Sequence, residues 1–159
     1  MMRFLKLLHL SGLALFLGSI FCHVVASVLG GTPGGSAAFI AARRQILLAS
    51  QFVTVPGLGL AVASGVAMLI LVRPRQTWMW IHGALGLVVL VVALTVVMPT
   101  VSAILDGALA VARGSGDAAA VSARYQVESV TGGLNVLVTL AMMALAVWRP
   151  RFGKAPAGG

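Results

Sequence analysis

The sequence predicts an all-α protein built as a four-helix transmembrane bundle. Three observations predict it. Charged residues make up only 9% of the chain, whereas water-soluble domains carry roughly 25%. The apolar residues, 60% of the total, fall into four blocks near 4–29, 44–72, 77–98 and 129–148, each at least about as long as a bilayer crossing needs. The bases sit singly or in pairs at the block ends, as Arg3/Lys6, Arg43/Arg44, Arg73/Arg75 and Arg149/Arg151/Lys154. That is the pattern of topology signals and headgroup contacts. One bundle over residues 1–152 accounts for the apolar blocks, with 153–159 read as a disordered tail.

Helix one is read from Phe4 to Leu29. It has a basic start and a Val-Ala-Ser near residue 26, but its apolar run exceeds the h-region of a signal peptide, so it reads as a spanning helix. Gly30-Gly31-Thr32-Pro33-Gly34-Gly35 breaks it with strong turn chemistry. Residues 37–44 read as a short helical lead-in to helix two, which runs from Arg44 to Val72. Pro56 inside it, with Gly57 and Gly59, predicts a kink or local unwinding. Helix three starts near Thr77 and crosses to Met98, where Pro99 predicts a bend. Residues 101–112 keep an apolar stripe but carry Asp106, so they read as an extension beyond the hydrocarbon. Gly114-Ser115-Gly116-Asp117 is a turn with Asp117 as N-cap. Residues 118–128 then lead into helix four, which Arg149-Pro150 ends.

Four spans place both termini beside the Arg73/Arg75 loop. That side carries seven bases, namely Arg3, Lys6, Arg73, Arg75, Arg149, Arg151 and Lys154. The other side carries four: Arg43, Arg44, Arg113 and Arg124. The positive-inside rule puts both termini in the cytoplasm of a bacterial-type inner membrane. The net charge of +8 therefore reads as topology. It does not predict nucleic-acid binding, which needs a clustered basic patch. The single cysteine, Cys22, allows no intrachain disulfide and reads as a small apolar filler.

Helix one carries two histidines, and together they suggest chemistry. His9 and His23 are fourteen residues apart, so on a helix they point about 40° apart and lie about 21 Å apart along the axis. That distance assigns them to different sites. His9 is one to two turns above the cytoplasmic end of helix one, and His82 is at similar height on helix three. Met68 on helix two and Met142 on helix four reach the same level. Paired imidazoles inside an apolar bundle suit axial ligation of haem b. Gly12, Gly83 and Gly86 would open a slot for the porphyrin, and Arg3, Lys6, Arg73, Arg75 and Arg149 would meet its propionates. No Cys-x-x-Cys-His run is present, so covalent attachment is excluded. Copper, which histidine with methionine also suits, and plain interhelical hydrogen bonding both remain open. Trp78, Trp80 and Trp148 read as interface anchors that would also serve to wall a porphyrin.

A second group lies in the outer half: His23, Ser50, Gln51, Thr54, Glu128 and Asn135. Small and polar residues at such spacing serve as packing glue between membrane helices. The alternative is a second ligand, quinone or proton site, with His23 as the proton-active group and Glu128 as its carboxylate partner. No phosphate-binding glycine loop, serine-histidine-acid set or His-Glu-x-x-His run supports nucleotide or hydrolase chemistry.

Lys6-Leu7-Leu8-His9 with Gly12 and Gly18, the Arg43-Arg44 pair, Pro56 and Gly65, Trp80-Ile81-His82, Asn135 and Trp148-Arg149-Pro150 resemble the template of a superfamily of small membrane bundles. It includes HemJ-type protoporphyrinogen oxidases, the copper-resistance D membrane domain and uncharacterised predicted integral membrane proteins. The resemblance covers most of the four helices. It implies haem or porphyrin contact at His9 and His82 and membrane redox chemistry. Gly83-Ala84 follow His82 where the HemJ-type helix places a lysine, and a later aromatic-histidine pair is missing. The resemblance therefore implies haem binding more directly than the oxidase reaction. A copper-handling protein and a non-enzymatic scaffold subunit are the competing expectations. The expected partners are the lipid bilayer and a quinone or porphyrin, with homo-oligomerisation open.

Overall fold

A computed structural model describes residues 1–71 and 76–149. Arg73, Arg75, Arg151, Lys154 and the expected 153–159 tail lie outside these residues. The described residues form four long helices and no strand: α1 (Met2–Gly30), α2 (Ala37–Leu71), α3 (Thr77–Ala112) and α4 (Ala118–Trp148). All four are long and apolar enough to cross a membrane. The segments read as lead-ins are not separate. Residues 37–44 and 118–128 continue without a break into α2 and α4. At 1.5 Å per residue, α3 is about 54 Å long, well beyond the ~30 Å hydrocarbon thickness.

The helix ends follow from local chemistry. Gly31 and Gly114 take positive φ, 73° and 74°, after α1 and α3, a conformation that glycine adopts without steric cost. The Ser36 side chain accepts from Phe39 N–H at 3.2 Å at the start of α2. Asp117 accepts from Ala119 N–H at 2.8 Å at the start of α4. Both are side-chain caps for orphan amides of a first turn.

The two internal prolines share one solution. Residues 50–54 of α2 and 93–97 of α3 form wide π-helical turns. The Val55 amide bonds to the Ser50 carbonyl, and the Met98 amide to the Ala93 carbonyl, five residues back instead of four. Pro56 and Pro99 follow immediately. A proline ring collides with the carbonyl four residues before it, and the widened turn lies where that collision would fall. The sequence reading of a bend at each proline becomes, in the structure, a one-residue bulge. The Thr54 hydroxyl donates to the Ala49 carbonyl at 3.2 Å, beside the α2 bulge.

Each helix packs chiefly against its neighbours in the chain, α1 on α2, α2 on α3 and α3 on α4. The tightest crossing is between α1 and α2. A Cβ on Gly12 would lie 2.6 Å from both the Ala61 nitrogen and the Gly57 oxygen, and one on Gly57 would lie 3.0 Å from the Gly12 oxygen. Backbone thus touches backbone, as small residues permit in membrane helices. Further along the same seam, Ser19 donates to Thr54 at 2.9 Å.

The core forms three clusters along the bundle. Phe16, Leu58, Val89 and Ala93 lie in one. Ala26, Ile46 and Val101 form the next. Phe39, Ile104, Ala108 and Val121 close the end near the 31–36 and 113–117 loops. Large apolar side chains also cover the outside, including Phe21, Val28, Phe52 and Leu134. A soluble monomer rarely exposes so much contiguous apolar surface, and lipid is the solvent that suits it.

Candidate functional site

A cavity of about 560 Å³ opens at the end of the bundle that carries Met2 and Arg149. The inward faces of all four helices contribute to it. His9, Met68, His82 and Met142 line it, with Lys6 and Arg149 toward the helix ends. The two imidazoles that depth counting puts at one level are neighbours. Their ring centroids are 6.1 Å apart, with the planes inclined by 51°.

Both rings are fixed through the same nitrogen. His9 Nδ1 donates to the Ala61 carbonyl at 2.7 Å, and His82 Nδ1 donates to the Met142 carbonyl at 3.1 Å. A carbonyl oxygen only accepts, so these bonds place the proton on Nδ1 and leave the Nε2 lone pair of each neutral ring for another group. Metal-ligating histidines are commonly oriented this way, by a carbonyl on the nitrogen that does not ligate. Gly65 makes room for the His9 ring. A Cβ there would stand 3.3 Å from Cε1 and 3.4 Å from Nδ1 of His9.

The other residues expected at this site fall differently. Gly12 does not open a slot, because its missing side chain is taken up by the α1–α2 crossing. Gly83 and Gly86 do border the cavity, and Gly86 leaves space for the Met142 methyl, 3.3 Å from where a Cβ would sit. Arg3 is exposed and does not line the cavity. Arg73 and Arg75 lie outside the described residues. Trp78 lines the cavity, whereas Trp80 and Trp148 are exposed on the outside of the bundle.

The outer cluster needs a larger correction. Glu128 is not the partner of His23. It accepts from Arg43 Nη2 at 2.6 Å. Arg43 reads in the sequence as a boundary base beside Arg44, yet its side chain is 1% exposed, and that of Glu128 15%. The Arg43 guanidinium lies 6.0 Å from the Tyr125 ring centroid, and Tyr125 meets Phe39 edge-on. Arg44, one residue on, is exposed. Phe39 and Ile46, four residues before Arg43 and three after, are both buried. That helical stripe was the signal in the sequence that Arg43 points inward. Gln51 is exposed and leaves the cluster. Asn135 is buried, and its carbonyl accepts from the Thr139 hydroxyl at 2.8 Å. His23 Nε2 and Arg43 Nε are buried with no hydrogen-bond partner among the described residues.

Among the described residues, no three His, Cys, Asp or Glu side chains gather closely enough to hold a metal ion. A cavity cofactor would rest on the two imidazoles, with thioether help from Met68 or Met142. Compared with known proteins, the chain matches no family model, no curated sequence and no solved structure.

Proposed function

We propose that this chain is a multi-pass membrane protein that binds haem b in the cavity between His9 and His82 and serves a redox or electron-transfer step. The observation that carries the reading is the pair of imidazoles 6.1 Å apart, each held by a carbonyl on Nδ1. Two rings that reach one metal ion from opposite sides, at metal–nitrogen distances near 2.0–2.1 Å, have centroids about 6 Å apart. The donor set also fits the group: two neutral imidazoles in an apolar cavity, with cations toward one end. His9 and His82 would be the axial ligands, or one of them with Met68 or Met142. Lys6 and Arg149 would meet the carboxylates. When bound, haem supplies one-electron chemistry, and the protein sets its potential through axial ligands, hydrogen bonds and burial.

In this reading the termini and the cavity face the cytoplasm, and the ends of α3 and α4 near residues 113–117 project beyond the opposite membrane face. The resemblance of Lys6 to His9 and Trp80 to His82 to HemJ-type bundles points the same way and makes a porphyrin or a quinone the natural reaction partner.

The test is an absorption spectrum of protein purified after haem-replete expression, alongside His9→Ala and His82→Ala. A Soret band in the parent chain that weakens or shifts in both variants is the expected result. A parent protein without the band, or spectra of both variants identical to it, overturns the proposal. Copper is the second reading, favoured by the two methionines that line the same cavity, because thioether and imidazole together suit Cu(I). Metal analysis of the same preparations separates the two.

A further inference from the structure

The cavity that holds His9 and His82 is not sealed from the side. Helix α1 packs chiefly on α2 and α4 chiefly on α3, and the described residues of α1 and α4 make no extended contact with each other. Leu10 on α1 and Met143 on α4 mark the two edges of the gap. Both line the cavity, and both are exposed, Leu10 by 62% and Met143 by 38%. Leu10 stands two residues before Gly12, so it points about 160° away from the α1–α2 crossing. Met143 is turned about 100° from Met142, whose methyl lies against Gly86 of α3. One wall residue on each helix therefore belongs at once to the cavity and to the outer surface.

The gap opens toward lipid. Leu10 lies inward of Lys6 along α1, and Met143 inward of Arg149 along α4, so the opening is deeper in the bilayer than the basic residues at the helix ends. Leu10, Leu13, Met143 and Ala146 give it apolar walls. The cations that line the same cavity, Lys6 and Arg149, stand at one end of it. A ligand that matches both features has an apolar body and a carboxylate end, and such an amphiphile gathers in the bilayer with its head at the surface. We propose that the cavity takes its ligand sideways from the membrane, through a portal between α1 and α4, and that this ligand is a membrane-dissolved carboxylate amphiphile, the porphyrin of the proposed function. The choice of porphyrin rests on that reading, whereas the portal rests on the geometry of α1 and α4 alone. During entry the carboxylates stay at the level of Lys6 and Arg149, so no charge has to cross the hydrocarbon, where it is costly.

Two measurements on the full chain in lipid vesicles test the portal. In the first, haem-free protein is irradiated with a diazirine-bearing fatty acid in the bilayer, and the labelled residues are mapped by mass spectrometry. Label is expected on His82, which lines the cavity from α3, as well as on the outward-facing Leu137. Leu10→Trp/Met143→Trp fills the gap and is expected to remove the label from His82 and leave it on Leu137. In the second, haem is supplied in the vesicle bilayer and its uptake is timed by the Soret band. The double variant is expected to load at least roughly tenfold more slowly and to reach the parent spectrum. Gln76→Trp, at the mouth near the helix ends, is expected to load at the parent rate. An unlabelled His82 in the parent chain overturns the portal, whether or not the double variant folds, and leaves the haem reading to its own spectrum. Label on His82 that survives the double substitution overturns it too, as does haem uptake slowed by Gln76→Trp and not by the double variant. A parent chain labelled at His82 that takes up no haem keeps the portal and overturns the porphyrin as its ligand.

Discussion

Replacement of Glu128 by alanine isolates the energetics of the outer half. In the parent chain the Arg43 guanidinium is 1% exposed and 2.6 Å from the carboxylate. Its charge has exchanged water for one close counter-ion and the face of Tyr125. Removal of the carboxylate leaves a buried, uncompensated cation, a situation that costs about 3–5 kcal/mol. That is a change of roughly two to nearly four decades in the unfolding equilibrium. The double variant Arg43→Met/Glu128→Leu removes both charges and fills the space with apolar groups, so most of the loss should be recovered. Reversible unfolding in mixed detergent micelles, followed by circular dichroism, measures the parent chain and both variants. A Glu128→Ala cost below about 1 kcal/mol, the range of an exposed pair, would refute the assignment of Arg43 to the interior.

Three further outcomes follow from the same geometry. Gly12→Val drives a side chain into the Ala61 and Gly57 backbone at the α1–α2 crossing and should cost about 1–3 kcal/mol by overpacking, measured in the same unfolding assay. Gly65→Val displaces the His9 ring and strains its 2.7 Å bond to Ala61. Haem titration should show affinity reduced at least about tenfold, a shift of 1.4 kcal/mol, with the helical spectrum unchanged. Ser19→Ala removes a hydroxyl bond to Thr54, and its unfolding cost should be small, about 0.6 kcal/mol, as for other hydroxyl bonds between membrane helices.

What the sequence disclosed depended on length scale. Four spans were legible because a bilayer crossing demands some twenty apolar residues, a signal no packing detail obscures. The neighbourhood of His9 and His82 was legible because rise per residue converts sequence position to depth. Neighbours that differ by rotation were harder to read. Arg43 and Arg44 look alike in a charge pattern, yet adjacent positions on a helix point about 100° apart, and only one of them is buried. Gly12 was assigned to the cavity because a glycine reports a close approach without naming what approaches. Gln51 shares its height with Ser50, and again only one of the two is buried. The carbonyls of Ala61 and Met142 that hold the two rings could not be named from sequence, because every residue has one.

The paired bulges give the bundle a freedom that a regular helix lacks. A π turn is one residue more than an α-helix needs, so it resets the angular phase of everything beyond it by about 100°. In α2 the bulge stands between Arg43 and the stretch from Gly57 to Gly65. Loss of one residue, such as the outward-facing Phe52, would restore an unbroken α-helix and turn one half against the other. Arg43 would swing off Glu128 while Gly57 and Gly65 kept their places against α1, or the reverse. The two ends of the molecule are therefore joined as by a coupling with a movable key, and sequence change can re-aim one end without rebuilding the other.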